Sequence, residues 1–224
     1  MLDNEFPPLG GGTGVVNKHL LEELAIYPNV WVDLVTSSRT RRSYEKEQFA
    51  ERITIYKVPV DNKNIHHSAN IELLRYTLRG FFFCRKLLRQ HHYDVSFAYA
   101  GVPAGGISFA LKMLYRLPYL VSLQGPDVPY FESRYNYLYP VLTPFIKWIW
   151  KHAGVVTAIS NMHQRLARST MPGLEVPIIV NGVDTRIFFP PPNSSARREI
   201  NIICVGRLIM RKGQHHLLRS FAQL

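Results

Sequence analysis

Two cations in one glycine-bounded stretch, Val205-Gly206-Arg207-Leu208-Ile209-Met210-Arg211-Lys212-Gly213, carry the clearest chemical potential in the chain. An apolar run ends at Gly206 and a helical pattern starts at Gly213, so Arg207 and Lys212 fall on the connecting loop. A guanidinium fork and an ammonium point charge beside a helix N-terminus suit a diphosphate. The competing reading is solvated surface charge. The position at a strand's carboxyl end, where doubly wound sheets bind ligands, weighs toward the first. Gln124-Gly125-Pro126-Asp127 also follows a short apolar strand, Tyr119 to Leu123. There Asp127 could orient a substrate hydroxyl or amine, and Gln124 could hydrogen-bond one. Pro and Asp equally supply turn geometry, and that alternative stays open.

A third candidate is the glycine loop Gly10-Gly11-Gly12-Thr13-Gly14. A dinucleotide fingerprint starting at Gly10 needs glycine at position 15, which is Val15, and no Gly-Lys-Ser/Thr follows for a P-loop. What is left is either a structural turn or a loop whose N–H groups face a phosphate or a sugar hydroxyl. The pairs His66-His67, His91-His92 and His215-His216 lack metal-ligand spacing, so no metal is expected. Ser160 has no nucleophile-elbow context. Cys84 sits in an aromatic run and reads as core.

These residues need a scaffold, and the chain is large enough to provide one. Its 224 residues are 46% hydrophobic and 19% charged, which excludes a disordered chain. Two cysteines exclude a disulfide scaffold. No apolar run approaches the roughly 20 residues of a membrane span, and the first residues lack a secretory pattern. A reducing cytoplasm is the expected location, with peripheral contact at the inner face of the membrane left open. The net charge of +11 points to anionic partners. One segment concentrates that charge: Arg75, Arg79, Arg85, Lys86 and Arg89 alternate with Leu73, Leu74, Leu78, Phe81 and Phe82. Such a basic amphipathic helix either lies on an anionic bilayer or shows an ordinary solvated face.

Strands and helices take turns along the chain. Helices are expected over Val15 to Ala25, Asn70 to His92, Pro103 to Arg116, Asn136 to Lys151 and from Asn161. Strands are expected at Val30 to Val35, Ile53 to Val58, Tyr93 to Tyr99, Tyr119 to Leu123, Val155 to Ile159 and Pro177 to Val180. The alternation implies an α/β fold built on a Rossmann-like, doubly wound parallel sheet. Residues 1–184 form the first domain, 185–198 a proline-rich linker, and 199–224 the start of a second, truncated domain with a strand at Glu199 to Val205. A glycine loop of this kind normally follows a buried strand. Only Met1 to Pro8 precede it, so the first strand is expected to be missing and the chain to be a fragment.

Taken in order, these segments resemble the family 4 retaining glycosyltransferases of the GT-B fold. Phe6-Pro7-Pro8-Leu9-Gly10-Gly11-Gly12 is similar to the family's first loop, and Val121 to Pro129 to its central loop. Ala153 to Ser160 resembles the strand of the acceptor domain that precedes a helix. Asn181-Gly182-Val183-Asp184 resembles the interdomain hinge, and Val205-Gly206-Arg207-Leu208 with Lys212-Gly213 the opening of the donor domain. The resemblance implies transfer of a sugar from a nucleotide-diphosphate donor to a glycan or lipid-linked acceptor hydroxyl, with retention and no obligatory metal or cofactor. It assigns Arg207, Lys212, Gly11 and Gly12 to the donor diphosphate. Gly10, Gly125 and Asp127 fall to the acceptor-side loop, and Asp127 and Gln124 to the catalytic centre. Nucleic acid is not among the expected partners.

Two departures qualify the match. Many members carry histidine where Gln124 stands. The family's pair of glutamates lies beyond this chain, and residues 200–224 contain no Asp or Glu. Two other readings therefore stand beside the transferase: a non-catalytic domain that binds a membrane or polyanion, and a GT-B nucleotide-sugar epimerase. The expectation for the chain alone is an inactive, poorly soluble fragment.

Overall fold

The computed structural model describes residues 1–66, 68–190, 200–208 and 210–223. They form two compact units, Met1–Gly182 and Val183–Leu224.

The first unit is a mixed sheet between helices. Its strands are β1 (Val32–Ser38), β2 (Glu45–Ala50), β3 (Ile53–Pro59), β4 (Ser96–Tyr99), β5 (Tyr119–Leu123) and β6 (Val155–Ala158). Its helices are α1 (Gly12–Leu24), α2 (Asn70–Gln90), α3 (Ala104–Tyr115), α4 (Tyr139–His152) and α5 (Asn161–Thr170). The sheet has two three-stranded sections, β1-β3-β2 and β4-β5-β6, parallel throughout except for β2.

The place of the missing first strand is occupied. Leu2 forms parallel bridges to Val35 of β1 and Ala98 of β4 and joins the two sections. Its N–H donates to the Phe97 carbonyl at 2.8 Å, and its own carbonyl accepts from Tyr99 at 2.9 Å. Two prolines and three polar residues hide this element from a pattern search, yet one apolar residue in the central position suffices to bridge. Leu2 itself is buried.

Side chains alternate across the sheet. Leu34, Ile53 and Ile55 face one cluster with Phe6 and Leu21 of α1. Val35, Val58, Ala98 and Val121 face a larger one with Tyr76, Ile107, Ile149 and Trp150 from α2, α3 and α4. Cys84 is part of this core, and burial pushes its thiol up to about 12.

Three further differences from the sequence reading have physical causes. β2 is absent from the sequence reading because Glu45-Lys46-Glu47-Gln48 is charged and exposed, as suits an edge strand. The expected strand Pro177 to Val180 reduces to one bridge between Ala158 and Ile178. In the second unit, residues 200–206 form no strand, because no described neighbour pairs with them. That unit contains a short 3₁₀ turn, Met210–Lys212, and helix α6 (Gln214–Phe221). Most of the proline-rich linker, residues 191–198, lies outside the described residues, as does Glu199.

Candidate functional site

Parallel strands deliver their loops to one edge of the sheet, and the first unit gathers its chemistry there. The glycine loop follows Leu2, the Ala100–Pro103 turn follows β4, the Gln124–Phe131 loop follows β5, and Ser160 follows β6.

Asp127 ties two of these loops together. One carboxylate oxygen accepts the N–H groups of Gly125 at 2.7 Å and Gln124 at 3.1 Å, and the other accepts Gly101 at 2.7 Å. Burial raises the carboxyl's pKa, and these backbone donors pull it back. Both oxygens are thus engaged in holding the two loops. Gln124 lies beside it, partly buried, with its amide nitrogen donating to Ser122 Oγ at 2.8 Å. Gly101 allows the approach: a Cβ there would stand 3.1 Å from Trp150 Nε1.

The glycine loop is held by groups that its sequence motif does not include. Gly10 has φ +93°, and a Cβ there would lie 2.5 Å from the Glu5 side chain. Its N–H donates to the Ile65 carbonyl at 2.6 Å, and Gly11 N–H donates to Glu5 Oε2 at 2.9 Å. Gly12 is exposed and open, with nothing within 4 Å of an added Cβ. Beneath the loop, buried Asp3 accepts from Glu5 N–H and from the Asn17 amide. Burial is the main cause holding the Asp3 carboxyl well above the usual carboxylate range.

His163, which no motif singled out, packs against the Gln124–Phe131 loop. It is only 6% exposed, stacks on Phe131 with ring centroids 4.6 Å apart, and places Nδ1 2.7 Å from Ser160 Oγ. Ser160 caps α5 by accepting the His163 N–H. Nε2 is buried without a hydrogen bond among the described residues. Burial lowers the imidazole pKa, and the nearby Asp127 charge partly restores it. The sequence signal was Ser160 three residues ahead of His163, the spacing of an N-cap and its N3 residue.

Arg207 and Lys212 belong to the second unit. Gln214 Nε2 donates to the Arg207 carbonyl at 2.9 Å, fixing the turn into α6, and the Lys212 side chain is exposed. Ile209, between them, lies outside the described residues. A separate groove of about 650 Å³, lined by Arg89, His92 and Arg116, opens between the α2–β4 and α3–β5 turns, away from these loops.

The sequence model of Glycosyltransferase Family 4 matches residues 10–187. The chain belongs to this family. A GDP-mannose-dependent alpha-(1-6)-phosphatidylinositol monomannoside mannosyltransferase of Mycolicibacterium smegmatis is 24% identical over 242 residues, covering all of this chain and 56% of that protein. Sucrose-phosphate synthase from Thermosynechococcus elongatus aligns over 96% of this family 4 chain and 55% of its own, with a TM-score of 0.73 at 17% identity. A UDP-forming alpha,alpha-trehalose-phosphate synthase from Burkholderia xenovorans, in complex with glucose-6-phosphate, aligns over 77% of this chain and 42% of its own, with a TM-score of 0.51 and 11% identity. The fold is that of GT-B glycosyltransferases. The chain spans about half the length of these relatives.

Proposed function

We propose that this chain supplies the acceptor side, and the first donor contacts, of a retaining glycosyltransferase that uses a nucleotide-diphosphate sugar. The observation that carries this reading is the Asp127 clamp, which fixes the β4 and β5 loops at the carboxyl edge of a family 4 chain. In this reading Asp127 positions Gln124, whose amide addresses a hydroxyl of the bound sugar or acceptor. The open backbone at Gly12 lets the donor phosphate approach α1, and Arg207 with Lys212 neutralises the leaving diphosphate, where negative charge develops. No metal or cofactor has a part. The relative's acceptor, by its name, is a phosphatidylinositol monomannoside, which favours a lipid-linked acceptor here.

The test is transfer from a radiolabelled nucleotide sugar by a two-domain enzyme that carries this chain joined to a complete family 4 donor domain. Lys212→Ala is expected to lower kcat by roughly 100-fold or more, on the scale of one preorganised transition-state contact. Lys86→Ala, on α2, leaves turnover of a soluble acceptor nearly unchanged. Equal small losses from both reduce Arg207 and Lys212 to surface charge. The product's anomeric configuration, read by NMR, decides retention, and an epimerised free nucleotide sugar would replace the transferase reading with an epimerase.

A further inference from the structure

The outer faces of α2, α3 and α4 reverse the usual pattern of a soluble helix layer. On α2 the large apolar residues Ile71, Leu74, Leu78 and Phe82 are 54%, 53%, 53% and 60% exposed. Their spacing puts them in one stripe along the solvent side. Three of the five cations of the same helix are engaged by neighbouring segments: Arg75 pairs with Asp61, Arg79 donates to the carbonyls of Arg41 and Pro59, and Arg85 donates to the Tyr115 hydroxyl. On α4, which α3 links to α2, Val141, Phe145 and Trp148 are exposed as well. Scattered exposed apolar residues are ordinary, but an aligned set on adjoining helices marks an interaction surface.

Charge identifies the partner. The three helices hold eight Lys and Arg and a single acid, Glu72. Glu72 is buried and engaged, accepting the Ala69 N–H at 2.7 Å and the Lys63 N–H at 3.0 Å. The outward face therefore carries exposed Lys86, Arg89, Lys147 and Lys151 beside the apolar stripe, and no exposed acid. A protein partner or a second copy of this chain would have to match cations with acids of its own. An anionic bilayer accepts apolar side chains and basic heads together, over a broad area. We infer that α2, α3 and α4 lie on an anionic membrane surface, with Ile71, Leu74, Leu78 and Phe82 entering the acyl boundary and the four lysines and arginines at headgroup level. Among the described residues no helix is long and apolar enough to cross a membrane, so the contact is peripheral. The segment that precedes α2 also supplies the Ile65 carbonyl that takes the Gly10 N–H.

The inference stands apart from transfer chemistry and is read without donor or acceptor. The 224-residue chain is sedimented with vesicles of phosphatidylcholine alone and of phosphatidylcholine with phosphatidylglycerol, at low and high salt. Binding is expected only to the anionic vesicles and is expected to fall steeply with salt. Each surface cation is worth about five-fold, so Lys86→Glu with Arg89→Glu weakens binding by about 30-fold or more. Leu78→Gln with Phe82→Gln abolishes it, and circular dichroism reports whether each variant is folded. Should a variant fail to fold, brominated lipid decides on the unaltered chain: it quenches Trp148 emission, and the quenching disappears in Trp148→Phe. Equal binding to neutral vesicles, no binding, or quenching unchanged in Trp148→Phe overturns the proposal. So does a concentration-dependent dimer that Phe82→Gln dissolves without any vesicle binding.

Discussion

The two units of this chain carry similar apolar sequences and treat them in opposite ways. In Met1–Gly182, Leu34, Ile53, Ile55, Ile107, Val121 and Ile149 are almost wholly removed from water. In Val183–Leu224, Ile200, Ile203, Val205, Leu208, Leu218 and Phe221 are all exposed. Composition does not separate them. The difference is the number of neighbours, because strand residues are buried only between a sheet face and a covering helix. Among the described residues of the second unit, an unpaired segment, a 3₁₀ turn and one helix of eight residues cannot enclose them.

The largest effect that would sharpen this contrast lies in the first core. Trp150 is buried in the cluster that includes Ile107 and Val121, and Trp150→Ala should cost about 3–5 kcal/mol by transfer and cavity together. Urea unfolding followed by circular dichroism checks it. A loss below about 1 kcal/mol would mean that the first unit is packed no better than the second.

Next in size is the Asp127 clamp. Asp127→Ala leaves three N–H groups without their acceptor, two buried and that of Gln124 partly so, and each buried group costs about 1–3 kcal/mol before water relieves it. A net loss of about 3 kcal/mol is expected. Asp127→Asn keeps one acceptor oxygen for Gly125 and Gln124 but turns its amide NH2, a donor, toward the Gly101 N–H, so about half that loss is expected. If Ala and Asn cost the same small amount, the carboxylate does not hold the β4 and β5 loops together.

His163 gives a smaller effect with a defined sign. Burial lowers its pKa from the ordinary value near 6.5. As pH falls below 6.5, the unfolded chain takes up a proton that the folded chain refuses, so stability declines. The decline ends once pH passes the lowered folded value. Melting at a series of pH values should show this slope in the unaltered chain and its loss in His163→Gln. A slope of the opposite sign would mean that the Asp127 charge outweighs burial.

These contrasts also explain what was legible in the sequence. Long apolar periodicities gave α2, α3 and β5 nearly to the residue, because each is long or has both faces covered. The glycine loop, Gln124 and Asp127 were legible as types at a strand end. Their division of labour was not, since Asp127's partners are backbone groups of Gly101, Gly125 and Gln124, and backbone donors leave no mark in side-chain patterns. Glu5 holds a backbone group of Gly11, and His163 stacks on Phe131, 32 residues away in sequence, so only folding brings these contacts together. The mixture of cations and apolar residues on α2 was legible as well, but not which cations stay exposed, because the acceptors of Arg75, Arg79 and Arg85 lie on segments distant in sequence while Lys86 and Arg89 face solvent.

The smallest effect concerns the second unit. Leu218 and Phe221 lie on α6, exposed by 69% and 60%, so removing their apolar surface takes away little buried area. Surface substitutions free of named interactions stay within about 0.5 kcal/mol. For a chain of this size, that corresponds to a shift in Tm of roughly 1–2 °C. Leu218→Gln with Phe221→Gln should therefore leave the melting curve of the first unit in place. The same change should reduce self-association in sedimentation velocity, because exposed apolar patches drive it. Lys212 is untouched by these substitutions, so in a two-domain enzyme the pair should behave differently. There Leu218 and Phe221 would face a completed sheet, and the double variant should lose several kcal/mol on the scale of buried apolar side chains. A large loss in the 224-residue chain itself would show that its second unit already buries α6 in solution.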